Sequence, residues 1–452
     1  MYEFELRLIE VLEGKLNLIQ KQNEREEVVS DGLLHLLKTN EFPQNKALIE
    51  NKDQRFKFIK DFLSYGVITE LICNYDVEDI IINNLNPIYV HHSKRGFVVT
   101  DKRFKNRHEL DLFLKKLLLF AGGKKMRRIL DIELPNLEGR VNIAISAFGP
   151  QITIARAKTT PLSIIELIRA GTLTHEVAGQ LWFYIEGLNI RPANIIIAGG
   201  PGVGKTTLLN SLLCFIPDTH RTVVIEDTLE LNTFMDESCS RLESDEGVSL
   251  ADLVKNSLRM RPERIIVGEV RGEEAKDMVT ACNIGKYCMG TIHALTAREA
   301  IIRLQNEPMN IPEMLVNLID VFVIMKRYHV KEKLFRVIDE VSETSGMEQV
   351  KILLSQVFKY DYDQKTVVSR NPSTVYRDKL AEQSGLTPKD IMLEIKLRKF
   401  LMEEMDRRDM STLKEITTFC RLYSRDPHRA IDSLKIDMEK TKYFHEIISK
   451  RC

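Results

Sequence analysis

No part of the chain constrains the fold more than Ala193–Thr207, A-N-I-I-I-A-G-G-P-G-V-G-K-T-T. The apolar run Ile195–Ala198 has the texture of a buried strand. It leads into Gly199–Thr206, which fits G-x-x-x-x-G-K-[ST] in the strand-then-helix setting the motif requires. The glycines let the backbone curl so that N–H groups point inward at phosphate oxygens. A helix starting near Lys205 adds its positive N-terminal end. Gly200, Gly202, Val203, Gly204, Lys205, Thr206 and Thr207 are therefore the expected nucleotide contacts. In that pattern the lysine reaches the β- and γ-phosphates and the Thr206 hydroxyl ligates Mg²⁺, so the expected cofactors are ATP and Mg²⁺. The alternative, a glycine-rich turn that only caps a helix, is outweighed by strand, full motif and helix occurring together.

At 452 residues the chain has room for two or three domains. Residues 1–65 carry Leu6, Leu8, Ile9, Leu12, Leu16 and Ile19 at helical spacing on a charged background, an amphipathic packing pattern. Residues 66–158 change texture to short strands (76–83, 88–90, 96–99, 139–145 and 151–156) with a helix over 107–120, the pattern of a small α+β domain. Thr159-Thr160-Pro161 punctuates the chain, and 159–176 is the expected linker. The P-loop domain is expected over 177–345, with C-terminal strands and a helical extension over 346–452. Within that tail, 388–405, 411–422 and 427–434 read as helices that either pack on the P-loop domain or dock a partner.

Two more apolar runs end in acids. Thr222–Ile225 runs into Glu226-Asp227, and Arg264–Gly268 runs into Glu269-Val270-Arg271. Strands that finish in carboxylates, interleaved with helices, describe a parallel sheet with its site at the strands' carboxyl ends. One acid should hold Mg²⁺ and the other should orient or deprotonate the attacking water. Two structural alternatives stay open: Glu226 as a helix-capping residue, and Glu269 as the partner of Arg271.

With these segments in view, the chain resembles the hexameric ATPases of type II and type IV secretion and type IV pilus assembly. The carriers are the P-loop, V-V-I-E-D-T-L-E-L with its Asp box at 226–227, L-V-K-N-S-L-R-M-R-P-E-R-I-I-V-G-E-V-R-G at 253–272, and the His box T-I-H-A at 291–294. The resemblance spans roughly residues 65–340. It is most like the tight-adherence pilus and conjugative-secretion branch, with an archaeal-type pattern. It implies a RecA-like P-loop ATPase domain with a parallel sheet, preceded by the small α+β domain and followed by the helical tail. It also implies Glu226 as catalytic base, Glu269 as the Walker B acid near Mg²⁺, and His293 as the γ-phosphate-sensing histidine. Arg140, in G-R-V-N, matches an arginine of the N-terminal domain that completes a nucleotide site, and Arg156 is a looser match. Arg241, Arg259 and Arg261 are further arginines for the site or a subunit contact. One departure is plain: where the family has T-G-H, this chain has Asn283-Ile284-Gly285-Lys286.

The resemblance implies a homo-hexameric motor that hydrolyses ATP to drive pilus assembly or secretion. Its partner would be a polytopic membrane platform protein. Two other functions were weighed: a nucleotide-switched scaffold with little turnover, and a DNA-transfer translocase. Lys+Arg and Asp+Glu both number 65, and no basic stripe with interleaved aromatics exists, so nucleic acid is disfavoured. Seven cysteines, none in C-x-x-C, disfavour a zinc or disulfide framework. With no apolar run of membrane-spanning length, the expected place is the cytoplasm, peripheral to the inner face of the cell membrane.

Overall fold

A computed structural model describes the whole chain apart from residues 18–19, 40, 75, 94, 124, 135–138, 157–160, 232–237, 246, 331–332, 349–350, 437–443 and 452. The chain forms two compact units, Met1–Thr159 and Thr160–Cys452. The start of the expected linker, 159–160, lies outside the described residues.

The first unit is a six-stranded antiparallel sheet backed by helices. Its strands are β1 (Val77–Asn83), β2 (Tyr89–His92), β3 (Gly96–Val99), β4 (Ile129–Glu133), β5 (Gly139–Ser146) and β6 (Gly149–Arg156). They lie in the order β3-β2-β1-β6-β5-β4. Alternation along β1 and β6 turns Ile80, Ile82, Ile152 and Ile154 to one face. That face shares a single core with Phe4, Leu8 and Leu12 of helix Tyr2–Leu12 and with Leu110 and Leu117 of helix Arg107–Phe120. Residues 1–65 are thus part of this unit's core, continuous with the strands that follow.

The second unit is built on a nine-stranded sheet. Its strands are β7 (Ile195–Gly199), β8 (Thr222–Glu226), β9 (Cys239–Glu243), β10 (Arg264–Val267), β11 (Tyr287–Ile292), β12 (Val321–Val330), β13 (Lys333–Glu348), β14 (Lys351–Asp361) and β15 (Thr366–Ser369). The order is β15-β14-β13-β12-β7-β11-β10-β8-β9. From β12 to β9 every neighbour is parallel, and β12 to β15 form an antiparallel meander. Parallel strands are covered on both faces and so read as unbroken apolar runs. In β7, Ile195 and Ile197 face one core while Ile196 and Ala198 face the other.

β13 passes straight through the 345/346 boundary expected from sequence, and the main sheet continues to Ser369. The helical tail then folds back on the same core. Helix Pro388–Arg407 opens with a Thr387/Asp390 capping box and crosses helix His175–Glu186. At that crossing a Cβ on Gly179 would lie 2.7 Å from Lys399 N, so the two backbones are in contact. Beside it, fully buried Arg398 pairs with Glu186 (2.7 Å) and Glu394 (2.9 Å). Its guanidinium also lies 4.7 Å from the centroid of the Trp182 ring. Packing on the P-loop domain, one of the two readings of the tail, is therefore what the geometry shows for this helix.

Candidate nucleotide site

The site assembles where four parallel strands end. Pairing of Ile225 with Val267 sets Glu226, Gly268 and Glu269 side by side. Pairing of Ile292 with Ala198 brings His293 beside the start of the P-loop. The loop turns through left-handed backbone at Gly202 (φ +67°) and Gly204 (φ +94°), and helix Lys205–Leu212 follows. Gly199 has a second reason to lack a side chain: a Cβ there would lie 2.6 Å from Val203 and 2.7 Å from the Met325 carbonyl.

Lys205 is buried. Its Nζ donates to the Gly200 carbonyl at 3.0 Å and to His293 Nδ1 at 3.3 Å. Desolvation holds the ammonium below the usual lysine range, opposed by nearby Glu269. An ammonium has only protons to offer, so Nδ1 is the lone-pair nitrogen of His293. Nε2 then carries the proton and donates to Glu269 Oε1, 2.9 Å away. Lys205, His293 and Glu269 form one chain of contacts in which the histidine tautomer is dictated by its neighbours. Glu269 is therefore the partner of His293, while Arg271 pairs with Asp227. Asp227 also accepts from Ser244 Oγ at 2.6 Å, which ties the end of β8 to the residues after β9.

Glu226 is placed differently. Its carboxylate is buried and accepts from Glu230 N (3.1 Å) and Leu231 N (3.0 Å) of its own loop. Burial pushes this carboxyl up to about 7, against those two backbone bonds and Arg241, whose Nη2 is 3.9 Å away. These two bonds brace an irregular loop over 227–231 where no helix starts, so the helix-capping alternative does not hold, and the acid stands beside the site with its oxygens turned inward. Gly268 is pinned beneath it, because a Cβ there would meet Glu226 Cγ at 2.9 Å.

Thr206 sits in the first helical turn, and its hydroxyl makes no hydrogen bond among the described residues. Glu269 is 39% exposed, with Oε1 engaged by His293. A hydroxyl and a part-exposed carboxylate at the mouth of a P-loop are hard oxygen donors, so the residues fit Mg²⁺. No cluster of three or more His, Cys, Asp or Glu side chains among the described residues would hold a metal by protein ligands alone.

The other arginines are dispersed. Arg140 belongs to β5 of the first unit, where it pairs with Ala155, and its side chain lies outside the described residues. Arg156, also in the first unit, donates from Nη1 to the carbonyls of Asn74 (2.6 Å) and Val77 (3.3 Å). Arg259 and Arg261 lie in the turn after helix Leu250–Ser257, Arg261 with a left-handed φ of +54°. Lys286 stands just before β11, at the opposite end of that strand from His293, roughly 20 Å away along an extended strand. There Gly285 (φ +83°) and a bond from Lys286 N to the Ala281 carbonyl close helix Glu274–Asn283. The unusual segment 283–286 is therefore a helix stop distant from the phosphate loop.

Sequence reasoning did not find Arg327, Arg336 or Leu295. Arg336 Nε donates to the Gly202 carbonyl at 3.1 Å, and Leu295 Cδ2 lies 3.8 Å from where a Cβ on Gly200 would be. Nothing local marks the two arginines, which reach the P-loop through pairing of β12 with β7.

The model of the family described as "Type II/IV secretion system protein" matches residues 66–327, more than half of the 452. The uncharacterized protein MJ0900 of Methanocaldococcus jannaschii is 30% identical over 394 residues, 82% of this chain and 70% of that protein. The conjugal transfer protein TrbB of Rhizobium radiobacter is 33% identical over 238 residues, 51% of this chain and 71% of its own. Among solved structures, the pilus retraction motor PilT with bound ADP aligns over 79% of this chain and 92% of its own. It does so at 17% identity and a TM-score of 0.46. The family match and the archaeal relative settle membership: this chain belongs to the type II/IV secretion system protein family.

Proposed function

We propose that the chain is an ATPase of that family, working as a homo-hexamer on a membrane complex that assembles a pilus or secretes a substrate. The observation that carries the ATPase reading is the Lys205–His293–Glu269 chain of contacts at the mouth of the P-loop. A second acid, Glu226, stands one strand away with its carboxyl raised to about 7. Backbone N–H groups of Gly202 to Thr207 would cradle the phosphates, and Lys205 would exchange the Gly200 carbonyl for a phosphate oxygen. Thr206 and Glu269 would hold Mg²⁺, which when bound offsets the charge building on the phosphates. His293 keeps Glu269 aimed and reports on Lys205, because one ring touches both. Glu226 would act as general base, its raised carboxyl suited to taking a proton from water near neutral pH. Arg140 would be the arginine that the family resemblance expects to complete a nucleotide site.

The membrane role draws on the family and on relatives named for conjugal transfer. No helix among the described residues is long and apolar enough to cross a membrane, so contact with a bilayer complex would run through a partner. One feature favours a second reading, a nucleotide-switched scaffold: the Glu226 carboxylate is already engaged by the backbone amides of Glu230 and Leu231. Steady-state phosphate release over a protein concentration series separates the two. Turnover per chain that rises on assembly and vanishes in Lys205→Ala supports the motor. Tight ATP binding without turnover at any concentration leaves only the switch.

A further inference from the structure

Three cations surround the P-loop, and the nucleotide chemistry above uses one of them. Lys205 belongs to the loop itself. The other two stand on the hairpin of β12 and β13, where Arg327 and Arg336 are direct cross-strand partners. Like charges placed opposite one another on paired strands repel. Both nonetheless lean on the same three residues, Gly202–Gly204. Arg327 Nη1 is 3.0 Å from the position a Cβ on Gly202 would occupy, and Arg336 Cδ is 3.7 Å from that position on Gly204. Arg336 has an anchor in the Gly202 carbonyl. Among the described residues no carboxylate pairs with Arg327; neighbouring Lys326 instead meets buried Asp339 at 2.9 Å. An exposed guanidinium lying against a glycine loop of the phosphate-binding pattern, with a second cation anchored opposite, is a site for a further anion contact.

We propose that Arg327 is a further nucleotide-contacting residue, the outer cationic wall of the phosphate cradle, with Arg336 as the positioning residue that fixes the loop against it. The ligand is the polyphosphate of a nucleoside di- or triphosphate, approached from the side of the loop away from Glu226 and Glu269. This rests on the nucleotide-binding reading given above. Gly202 turns with a φ of +67°, and a side chain there would also meet the Arg327 guanidinium.

The test is equilibrium binding of a fluorescent ADP analogue to the full chain, comparing wild type, Arg327→Ala, Arg327→Lys, Arg327→Gln and Lys205→Ala across a KCl series. Arg327→Ala should weaken binding about tenfold, flatten its salt dependence and raise KM more than it lowers kcat, and lysine should restore part of the loss. Thermal unfolding without nucleotide should leave the Arg327 variants near wild type; if alanine fails to fold, glutamine carries the comparison. Arg327→Ala within twofold of wild type at every salt concentration, while Lys205→Ala abolishes binding, overturns the inference and leaves the nucleotide reading standing. A wild-type chain that binds no analogue overturns both.

Discussion

Glu226 carries two roles that pull in opposite directions, and the conflict has a measurable size. Burial moves its carboxyl from 4.5 to about 7. Below pH 4.5 it is protonated whether the chain is folded or not. Between 4.5 and 7 only the unfolded chain sheds the proton, so stability falls as pH rises, by about 3 kcal/mol in all, and stays lowered above 7. Glu226→Gln cannot titrate. Its stability relative to wild type should climb by up to about 3 kcal/mol between pH 4.5 and pH 8, roughly 5 °C in unfolding midpoint. Groups that titrate equally in both proteins cancel in that difference. As a general base the same residue has to be ionised, so wild-type kcat/KM should rise with pH to half its plateau near 7. At pH 8 Glu226→Gln should lose about 10²-fold or more. The pair of assays is urea unfolding and phosphate release, both across pH. A stability difference that stays flat from pH 4.5 to 8 refutes the burial argument; a glutamine variant with wild-type turnover refutes the base.

Four further outcomes are expected. Gly268→Ala drives a Cβ to within 2.9 Å of Glu226 Cγ and should cost about 1–3 kcal/mol, much of it recovered when Glu226→Ala is added; urea titrations of the double-mutant cycle check the coupling. Lys205→Ala should abolish binding of a fluorescent ATP analogue while leaving the circular dichroism spectrum unchanged. Arg398→Ala strands Glu186 and Glu394 in the core and should destabilise the second unit by about 3–5 kcal/mol, read by chemical denaturation; replacing all three with apolar residues of similar volume should recover most of it. Asp227→Asn weakens the ion pair to Arg271 on an exposed rim, so it should shift stability by no more than about 1 kcal/mol, and a larger change in thermal unfolding would mark Asp227 as part of the site.

The parallel sheet was legible because each of its central strands is buried on both sides and so cannot alternate. Ile195–Ala198, Thr222–Ile225 and Arg264–Val267 announce themselves as apolar runs, and each run stops where its working residue begins. β4 and β9 were missed for the complementary reason. Both are edge strands, and in β9, C-S-R-L-E, partly exposed residues leave no apolar run to notice. The end of the second unit was misplaced because β13 carries Asp339, Glu340 and Glu343, which look like surface from composition alone. Their partners lie far along the chain: Lys326 and Lys359 hold Asp339, while Tyr184 and the backbone amides of Val375 and Tyr376 hold Glu343. A buried acid is recognisable from sequence only when its partner is local.

The same distinction governs the site. P-loop and acids could be named because each occupies a strand end with a local signature, and His293 because the family resemblance marks it, but what each does depends on a neighbour contributed by another strand. His293 becomes a link because Lys205 denies its Nδ1 a proton and thereby commits Nε2 to Glu269. Glu226 acquires a carboxyl near 7 because Gly268, on the next strand, leaves room for it to be buried. The helical tail follows the same logic on a larger scale. Arg398 closes a buried ionic cluster with helix His175–Glu186, the helix whose core continues directly into the P-loop helix. A tail bonded into that core can offer a partner only its outer surface, and its longest helix shares one buried cluster with the P-loop helix Lys205–Leu212.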